Sequence, residues 1–256
     1  MGAACEDWHN RHFVGIEVDQ VQLDEQWAYV HTHKERMTTD QKMNNPEKGD
    51  CWLWAGIDRE SKVVISWRTG KRTGLVARDF TDDLAKRIVG EFDVCTDQLN
   101  SYKFAVRGSF GKRASHAQII KEFPGESVAN VQIKKPVSRL LGIQKEAVSG
   151  DPNLDTATTS HIERFFLTTR QANKRNARKT LAYSKKWDNH ALTTSLHMFA
   201  YNMTRKHETL KEVPAVALGI IEKPWTLNDI VDMTERFLAK KEEDAFAAAF
   251  EAKSQF

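Results

Sequence analysis

The stretch VGIEVDQVQLDEQWAYV, residues 14–30, alternates apolar and polar side chains from Val18 to Leu23. This period of two predicts a β-strand. A polar loop ending in NNPEKGD follows, in which Asn, Pro and Gly favour a turn. The next stretch, CWLWAGIDRESKVVISWRTG, predicts two strands near 51–57 and 62–68 that form a hairpin through the polar turn DRES.

A helix and a fourth strand follow the predicted hairpin. Apolar residues recur at helical spacing in 73–89. The segment EFDVCTDQLNSY predicts a short strand that ends near Thr96, with another helix just beyond it. The residues QII at 118–120 are interpreted as the fifth strand. Three strands, a helix, a fourth strand and a helix favour a ribonuclease H-like α/β fold, with a mixed five-stranded sheet flanked by helices.

The second half of the chain is predicted to be mainly helical. Residues 121–157 are less regular and are interpreted as an insertion after the fifth strand. Helices are predicted near 160–175 and 184–206, and another after Trp225 with Thr226 as its cap. The predicted divisions are an N-terminal remnant (1–14), the α/β domain with its insertion (15–210) and a C-terminal helical extension (211–256).

Composition is typical of a globular domain and narrows the function classes only partly. The 256 residues are 40% hydrophobic and 29% charged. The net charge of +3 is too small to indicate a nucleic-acid partner unless basic residues cluster locally. Cys5, Cys51 and Cys95 are far apart and include no C-x-x-C pair, which argues against a disulfide framework or a zinc knuckle. No apolar run approaches a membrane span and no secretory signal is evident, so a cytoplasmic protein is expected.

Three acidic residues stand out by their positions in the predicted fold. Asp24 lies in the first strand, Asp97 just past the fourth strand and Glu163 near the start of a later helix. The first and fourth strands of a ribonuclease H-like sheet are neighbours, so these acids can converge. Converging carboxylates repel, and Mg²⁺ is the usual counter-ion because it prefers oxygen ligands, with Mn²⁺ as an alternative. Two such ions roughly 4 Å apart stabilise both the attacking and the leaving oxygen of a phosphodiester exchange.

The same acids also have structural interpretations. Ser160 to Glu163 reads SHIE and matches a capping box, and Asp97 is a candidate helix cap. On the residue pattern alone, capping is the favoured interpretation for both. Asp24 is harder to explain in this way, because an acid among apolar strand residues needs a partner. Its neighbour Glu25 is predicted to point to the other face and to be solvated, and Asp58 is interpreted as a turn residue.

Six stretches in this order resemble bacterial insertion-sequence DDE transposases of the insertion-sequence-one type. They span about residues 15–231 and read VQLDEQWAYV, WLWAGIDRESKVVISWRTGKRT, VCTDQLNSY, TTSHIERFFLTTR, LAYSKKWDNH and YNMTRKHETLKEVPAVALGI. The resemblance implies a catalytic, metal-binding triad, with Asp24 in the DE-x-W motif, Asp97 in the TD motif and Glu163 in the TS-x-x-ER motif. It implies Mg²⁺-dependent cleavage and strand transfer of transposon-end and target DNA. The implied protein is nucleoid-associated and acts as a homodimer or larger assembly.

Two departures from the family pattern keep other functions open. Phe165 and Phe166 stand where the family usually has a polar pair, and only some 14 residues precede the first strand, where such transposases commonly carry a zinc-ribbon or helix-turn-helix module. The first alternative is a catalytically silent, truncated transposase that acts as a DNA-binding or regulatory remnant. The second is a stand-alone ribonuclease H-like nuclease.

A basic segment follows the predicted Glu163 helix. No acid interrupts its seven cations, which are Arg170, Lys174, Arg175, Arg178, Lys179, Lys185 and Lys186. Together with Arg164 they are predicted to bind DNA phosphates near the metal site. The alternative is a solvated helical face, which is common for charge runs. Lys134, Lys135 and Arg139 in the insertion are candidates for the same basic patch.

Overall fold

The computed structural model describes residues 1–122 and 140–254, with side chains described as far as residue 248. Within these residues the chain forms eight helices and eight strands. The helices are α1 (Gly2–His12), α2 (Thr39–Asn44), α3 (Gly74–Arg87), α4 (Asn100–Phe110), α5 (Ser160–Ala172), α6 (Trp187–Thr204), α7 (Pro214–Ala217) and α8 (Leu227–Ser254). The strands are β1 (Ile16–Glu17), β2 (Gln20–Val30), β3 (Gly49–Asp58), β4 (Val64–Gly70), β5 (Ile88–Val89), β6 (Phe92–Thr96), β7 (Ala114–Glu122) and β8 (Gly142–Ser149).

The main sheet is mixed and has the order β4-β3-β2-β6-β7-β8. β2, β3 and β4 pair antiparallel, β2, β6 and β7 pair parallel, and β8 pairs antiparallel with β7. The short strands β1 and β5 form a separate parallel pair. The chain is therefore an α/β protein with a mixed sheet flanked by helices, as the sequence predicts.

The described part of the sheet has six strands where five were predicted. The additional strand, β8, lies inside the segment 121–157 that was interpreted as an irregular insertion, so that interpretation is wrong for these residues. β8 is an edge strand whose side chains are largely exposed, and its sequence GIQKEAVS therefore lacks an apolar period of two. Lys134, Lys135 and Arg139 lie outside the described residues.

Helices cover both faces of the sheet. On one face, Leu23 and Trp54 pack against α3 and α4, which contribute Phe80 and Tyr102 to the same cluster. On the other face, the odd-numbered β3 residues from Leu53 to Ile57 pack against α5 and α6. Burial of each large apolar side chain stabilises the fold by about 2 kcal/mol, so these two layers hold the helices on the sheet.

The N-terminal helix α1, in the segment assigned to a remnant, is packed into the protein core. Its Ala4 and Cys5 are fully buried in the same cluster as residues of α6 and α8. His9 is also buried, and its Nε2–H donates to the carbonyl oxygen of Ile65 at 2.8 Å. α1 therefore contributes to the stability of this fold.

Two smaller predictions are confirmed. Asp58 is a turn residue of the β3–β4 hairpin, because its Oδ2 accepts hydrogen bonds from both the amide and the hydroxyl of Ser61 at 2.6 Å. Thr226 caps α8 through reciprocal bonds with Asp229.

All three cysteines are buried free thiols. None of the helices in the described residues combines the length and apolarity needed to cross a bilayer.

Candidate active site

The candidate site lies where β6 ends beside the longer strand β2. The parallel pairing of these strands extends to Gln22 opposite Cys95, and β6 stops at Thr96. Asp24 and Asp97 each lie two residues beyond that last pair, so the register of the sheet carries both acids to the same place. The Asp97 carbonyl accepts a hydrogen bond from Gln118 Nε2 of β7 at 2.9 Å, which holds this turn against the neighbouring strand.

A group of three carboxylates forms at this point. Asp24, Glu25 and Asp97 each offer an oxygen atom, and these atoms lie within 4.8 Å of one another. Glu25 was predicted to be solvated, and that prediction is wrong because its side chain is only 1% exposed. The face to which it points is covered by α4, whose Tyr102 hydroxyl donates to Glu25 Oε2 at 3.1 Å.

Glu25 is held in place by a cation as well. Arg72 donates to Glu25 Oε1 through Nε at 2.7 Å and through Nη2 at 2.5 Å. The Arg72 guanidinium also stacks over the ring of Trp52, 4.8 Å from its centroid. Because both ends of the Glu25 carboxylate are bonded, this residue is fixed in position beside the two aspartates.

Burial and the neighbouring carboxylates raise the pKa of Asp24 and of Glu25. Burial, followed by the charges of Glu25 and Asp97, raises the pKa of Asp24 to about 8. Burial and the charge of Asp97 raise the pKa of Glu25 to about 7, against the opposing effect of Arg72. Carboxylates in such a group ionise readily only when a cation balances their charge. The all-oxygen donor set fits Mg²⁺ or Mn²⁺, which prefer hard oxygen ligands.

Glu163 lies near this group but outside it. Its Oε1 accepts a hydrogen bond from Thr159 Oγ1 at 2.6 Å and forms an ion pair with Lys121 of β7. Its charge nevertheless contributes to the raised pKa of Asp24, so the two carboxylates are within electrostatic range. The structure thus brings Asp24 and Asp97 together with Glu25, while Glu163 is directed to a lysine.

The capping interpretations of Glu163 and Asp97 are both wrong. α5 begins at Ser160 with Thr159 as its N-cap, and no side-chain capping bond forms there. Ser160 therefore lies one position too far along the chain to form the predicted box. The N-cap of α4 is Leu99, and Asp97 Oδ1 accepts only the Leu99 amide at 2.9 Å.

Sequence reasoning missed Gln22, which connects β2 to α5. Its side chain is fully buried, and Oε1 accepts hydrogen bonds from the amides of His161 at 3.0 Å and Ile162 at 3.2 Å. These bonds satisfy two amides in the first turn of the helix and fix Glu163 relative to Asp24. The sequence signal was a series of polar residues at alternate positions of a buried strand, namely Gln22, Asp24 and Gln26.

The basic segment lies beside the outer half of β2. α5 ends at Ala172, and a 3-10 turn follows at Lys174–Asn176. The cations from Arg178 to Lys186 lie beyond both, so the alternative of a helical face is wrong for them. Gln26 Nε2 donates to the Asn176 carbonyl at 3.2 Å, and the Tyr29 hydroxyl donates to the Thr180 carbonyl at 3.0 Å. The segment therefore covers the edge of β2 that β6 leaves free.

Most cations of this segment are available to a ligand. None of them forms an ion pair with an acid of the described residues. Arg170 and Arg175 are partly buried. Burial lowers the pKa of Arg170 and the charge of Asp24 opposes this shift, so Arg170 is within electrostatic range of the carboxylates. The exposed members are Lys174, Arg178, Lys179, Lys185 and Lys186, and Arg164 of α5 is exposed as well.

Comparison of the sequence with protein-family models and with curated proteins gives no match. The site is therefore interpreted from its own geometry and from the residues that form it.

Proposed function

We propose that this protein is a DDE-type transposase with a ribonuclease H-like fold, which cleaves DNA and transfers its strands in a Mg²⁺-dependent reaction. The observation that carries the proposal is the convergence of Asp24 and Asp97 at the ends of adjacent parallel strands. The strand order β4-β3-β2-β6-β7 supports the fold assignment, because the first long strand, β2, has the fourth, β6, as its neighbour.

Each group at the site has a role in this proposal. Asp24 and Asp97 would hold Mg²⁺ or Mn²⁺, with Glu163 as the third acid. Held by these carboxylates, two such ions would supply activation of the attacking hydroxyl and stabilisation of the leaving oxygen of the phosphodiester. Glu25 is kept in position by Arg72 and Tyr102 and adds negative charge to the group.

The basic segment supports DNA as the substrate. The segment that carries its exposed cations contacts β2 at Gln26 and Tyr29, on the same strand as Asp24, and such cations can bind phosphates independently of base sequence. Transposon ends and target DNA are the proposed partners, in a nucleoid-associated homodimer or larger assembly, because strand transfer joins two DNA segments.

Asp97→Asn is the direct test. We expect it to abolish Mg²⁺-dependent strand transfer of a labelled transposon-end duplex, because it removes a charged metal ligand, and to leave the melting temperature within a few degrees of the native value. Asp19→Asn is the matched control, since Asp19 is exposed, lies in the turn before β2 and makes no side-chain hydrogen bond among the described residues. Full activity of Asp97→Asn would refute the assignment of the site.

One observation favours the alternative of a catalytically silent, DNA-binding remnant. The Glu163 carboxylate is paired with Lys121 and not grouped with the two aspartates. This alternative predicts DNA binding that is lost in Arg178→Glu/Lys179→Glu, together with the absence of metal-dependent nicking in the native protein. Cleavage of RNA–DNA hybrids without any joined product would instead indicate a stand-alone nuclease.

A further inference from the structure

A second concentration of cations surrounds a pocket of about 500 Å³ that sequence reasoning did not assign. The pocket lies between the loop after β2 and the start of α3, and it has five basic residues and one acid in its wall. The basic residues are Lys34, Lys42, Lys48, Lys71 and Arg72, and the acid is Asp50. Arg72 is paired with Glu25, and the four lysines and Asp50 leave a local excess of three positive charges, equal to the net charge of the whole chain.

None of the lysines of this pocket forms an ion pair with an acid of the described residues. Lys71 Nζ donates to the carbonyls of Lys48 and Asp50 at 2.9 and 2.8 Å, and Lys48 Nζ donates to the Asn45 side chain at 2.7 Å. The Asp50 carboxylate accepts a hydrogen bond from Trp27 Nε1 at 3.1 Å. Lys48 and Lys71 are thus oriented by neutral groups, and Lys34 and Lys42 are exposed, so these charges are available to an anion.

The wall of the pocket also carries an aromatic surface. Trp52 is half-buried in the wall, and the Arg72 guanidinium lies over its ring with Cζ 4.8 Å from the centroid. Arg72 in turn bonds Glu25, so this stacked pair connects the pocket directly to the carboxylate group. Flat cationic and aromatic surfaces of this kind bind nucleobases by stacking.

We infer that this pocket binds a nucleotide of an unpaired DNA strand, with the lysines on its phosphates and its base stacked against the Arg72–Trp52 pair. Duplex DNA fits less well, because its bases are already stacked on one another and cannot reach an aromatic ring in a concave wall. The inference deepens the proposed function and rests on it in one respect: the strand that enters the pocket would be the one that continues from the carboxylate group.

The test measures binding without catalysis. Fluorescence anisotropy of a labelled 12-nucleotide single strand, in EDTA and about 100 mM salt, is compared for two charge-reversal variants. We expect Lys34→Glu/Lys42→Glu to weaken binding at least about tenfold and to reduce the salt slope by about 1.4, since each single-strand phosphate contact contributes about 0.7. The control, Lys86→Glu/Lys112→Glu, changes two exposed lysines outside the pocket, and we expect less than about a twofold effect. Equal losses in the two variants would overturn the pocket assignment.

The role of the aromatic wall is tested separately. We expect Trp52→Leu to weaken single-strand binding by about fivefold or more and to leave binding of a matched duplex nearly unchanged. If this variant is poorly folded, photocrosslinking of a bromodeoxyuridine strand to the native protein, mapped by mass spectrometry, should identify Trp52. A duplex that competes as well as the single strand, or a crosslink elsewhere, would overturn the stacking role.

The two proposals fail independently. Loss of strand transfer in Asp97→Asn, combined with native oligonucleotide affinity in Lys34→Glu/Lys42→Glu, would reject the pocket and keep the catalytic proposal. Full activity of Asp97→Asn, combined with pocket-dependent binding of the single strand, would reject the transposase and keep the nucleotide site.

Discussion

Replacing Lys121 by methionine should strengthen divalent-metal binding at the carboxylate group. The Lys121 ammonium is paired with Glu163 Oε1, so at the proposed metal site it would compete with the cation for this carboxylate. Methionine has a similar length and no charge, so it frees this carboxylate to turn towards Asp24. The expected result is a lower dissociation constant for Mg²⁺ or Mn²⁺.

The size of the gain follows from the exposure of the pair. The side chains of Lys121 and Glu163 are 31% and 40% exposed, and ion pairs in such solvated positions contribute about 0–1 kcal/mol. In the native protein, metal binding by Glu163 therefore requires breaking an ion pair worth at most about 1 kcal/mol. Lys121→Met has no such pair to break, so its metal affinity should be up to about fivefold higher. The free energy of unfolding should fall by no more than about the same 1 kcal/mol.

Calorimetric titration with Mn²⁺ measures this effect, and urea denaturation in EDTA measures the stability. Lys121→Arg keeps the charge and should keep the native affinity. Glu163→Gln, added to Lys121→Met, should cancel the gain, because it removes the carboxylate that the first change released. Weaker metal binding in Lys121→Met would show that the lysine assists the site, and the idea of competition would have to be abandoned.

Two further predictions concern stability. Gln22→Leu should lower the free energy of unfolding by about 2 kcal/mol, because it removes the acceptor for the amides of His161 and Ile162; a native urea midpoint would contradict this role. Burial lowers the pKa of His9 to about 3, so its contribution is complete above about pH 6.5 and is lost by up to about 1.4 kcal/mol per pH unit as the pH falls towards 3. His9→Gln should reduce the slope of the free energy of unfolding against pH by up to about 1.4 kcal/mol per pH unit, which corresponds to one proton. An unchanged slope would exclude His9 as its source.

The β2–β3–β4 part of the fold was predictable because its signals are local. The period of two in β2 and the DRES turn both act within a few residues. β3 and β4 lie within two residues of their predicted bounds, whereas β2 begins at Gln20, six residues after the predicted start, because Ile16–Glu17 forms the separate strand β1. β8 could not be predicted in this way. It is exposed at the sheet edge and is defined by pairing with β7, a contact between segments that are distant in sequence.

The candidate site was predictable only in part, for a geometric reason. Asp24 and Asp97 were identified from strand order, and the register of the sheet brings them together. Alternation along β2 predicted that Glu25 faces solvent, but alternation fixes only the face of a strand and not what covers that face. The pairing of Glu163 with Lys121 depends on β7, which no local pattern around Glu163 reveals.

The unequal lengths of β2 and β6 explain why opposite charges meet at this site. β2 has 11 residues and β6 has five, so the outer half of β2 extends past its parallel neighbour. The carboxylates occupy the start of this extension, and the segment Lys174–Lys186 covers the rest of its edge. The lysine pocket is joined to the same carboxylates through Arg72. A polyanionic strand bound next to the carboxylates would be repelled by them unless a cation balanced their charge. Metal binding and strand binding at this site are therefore expected to reinforce each other.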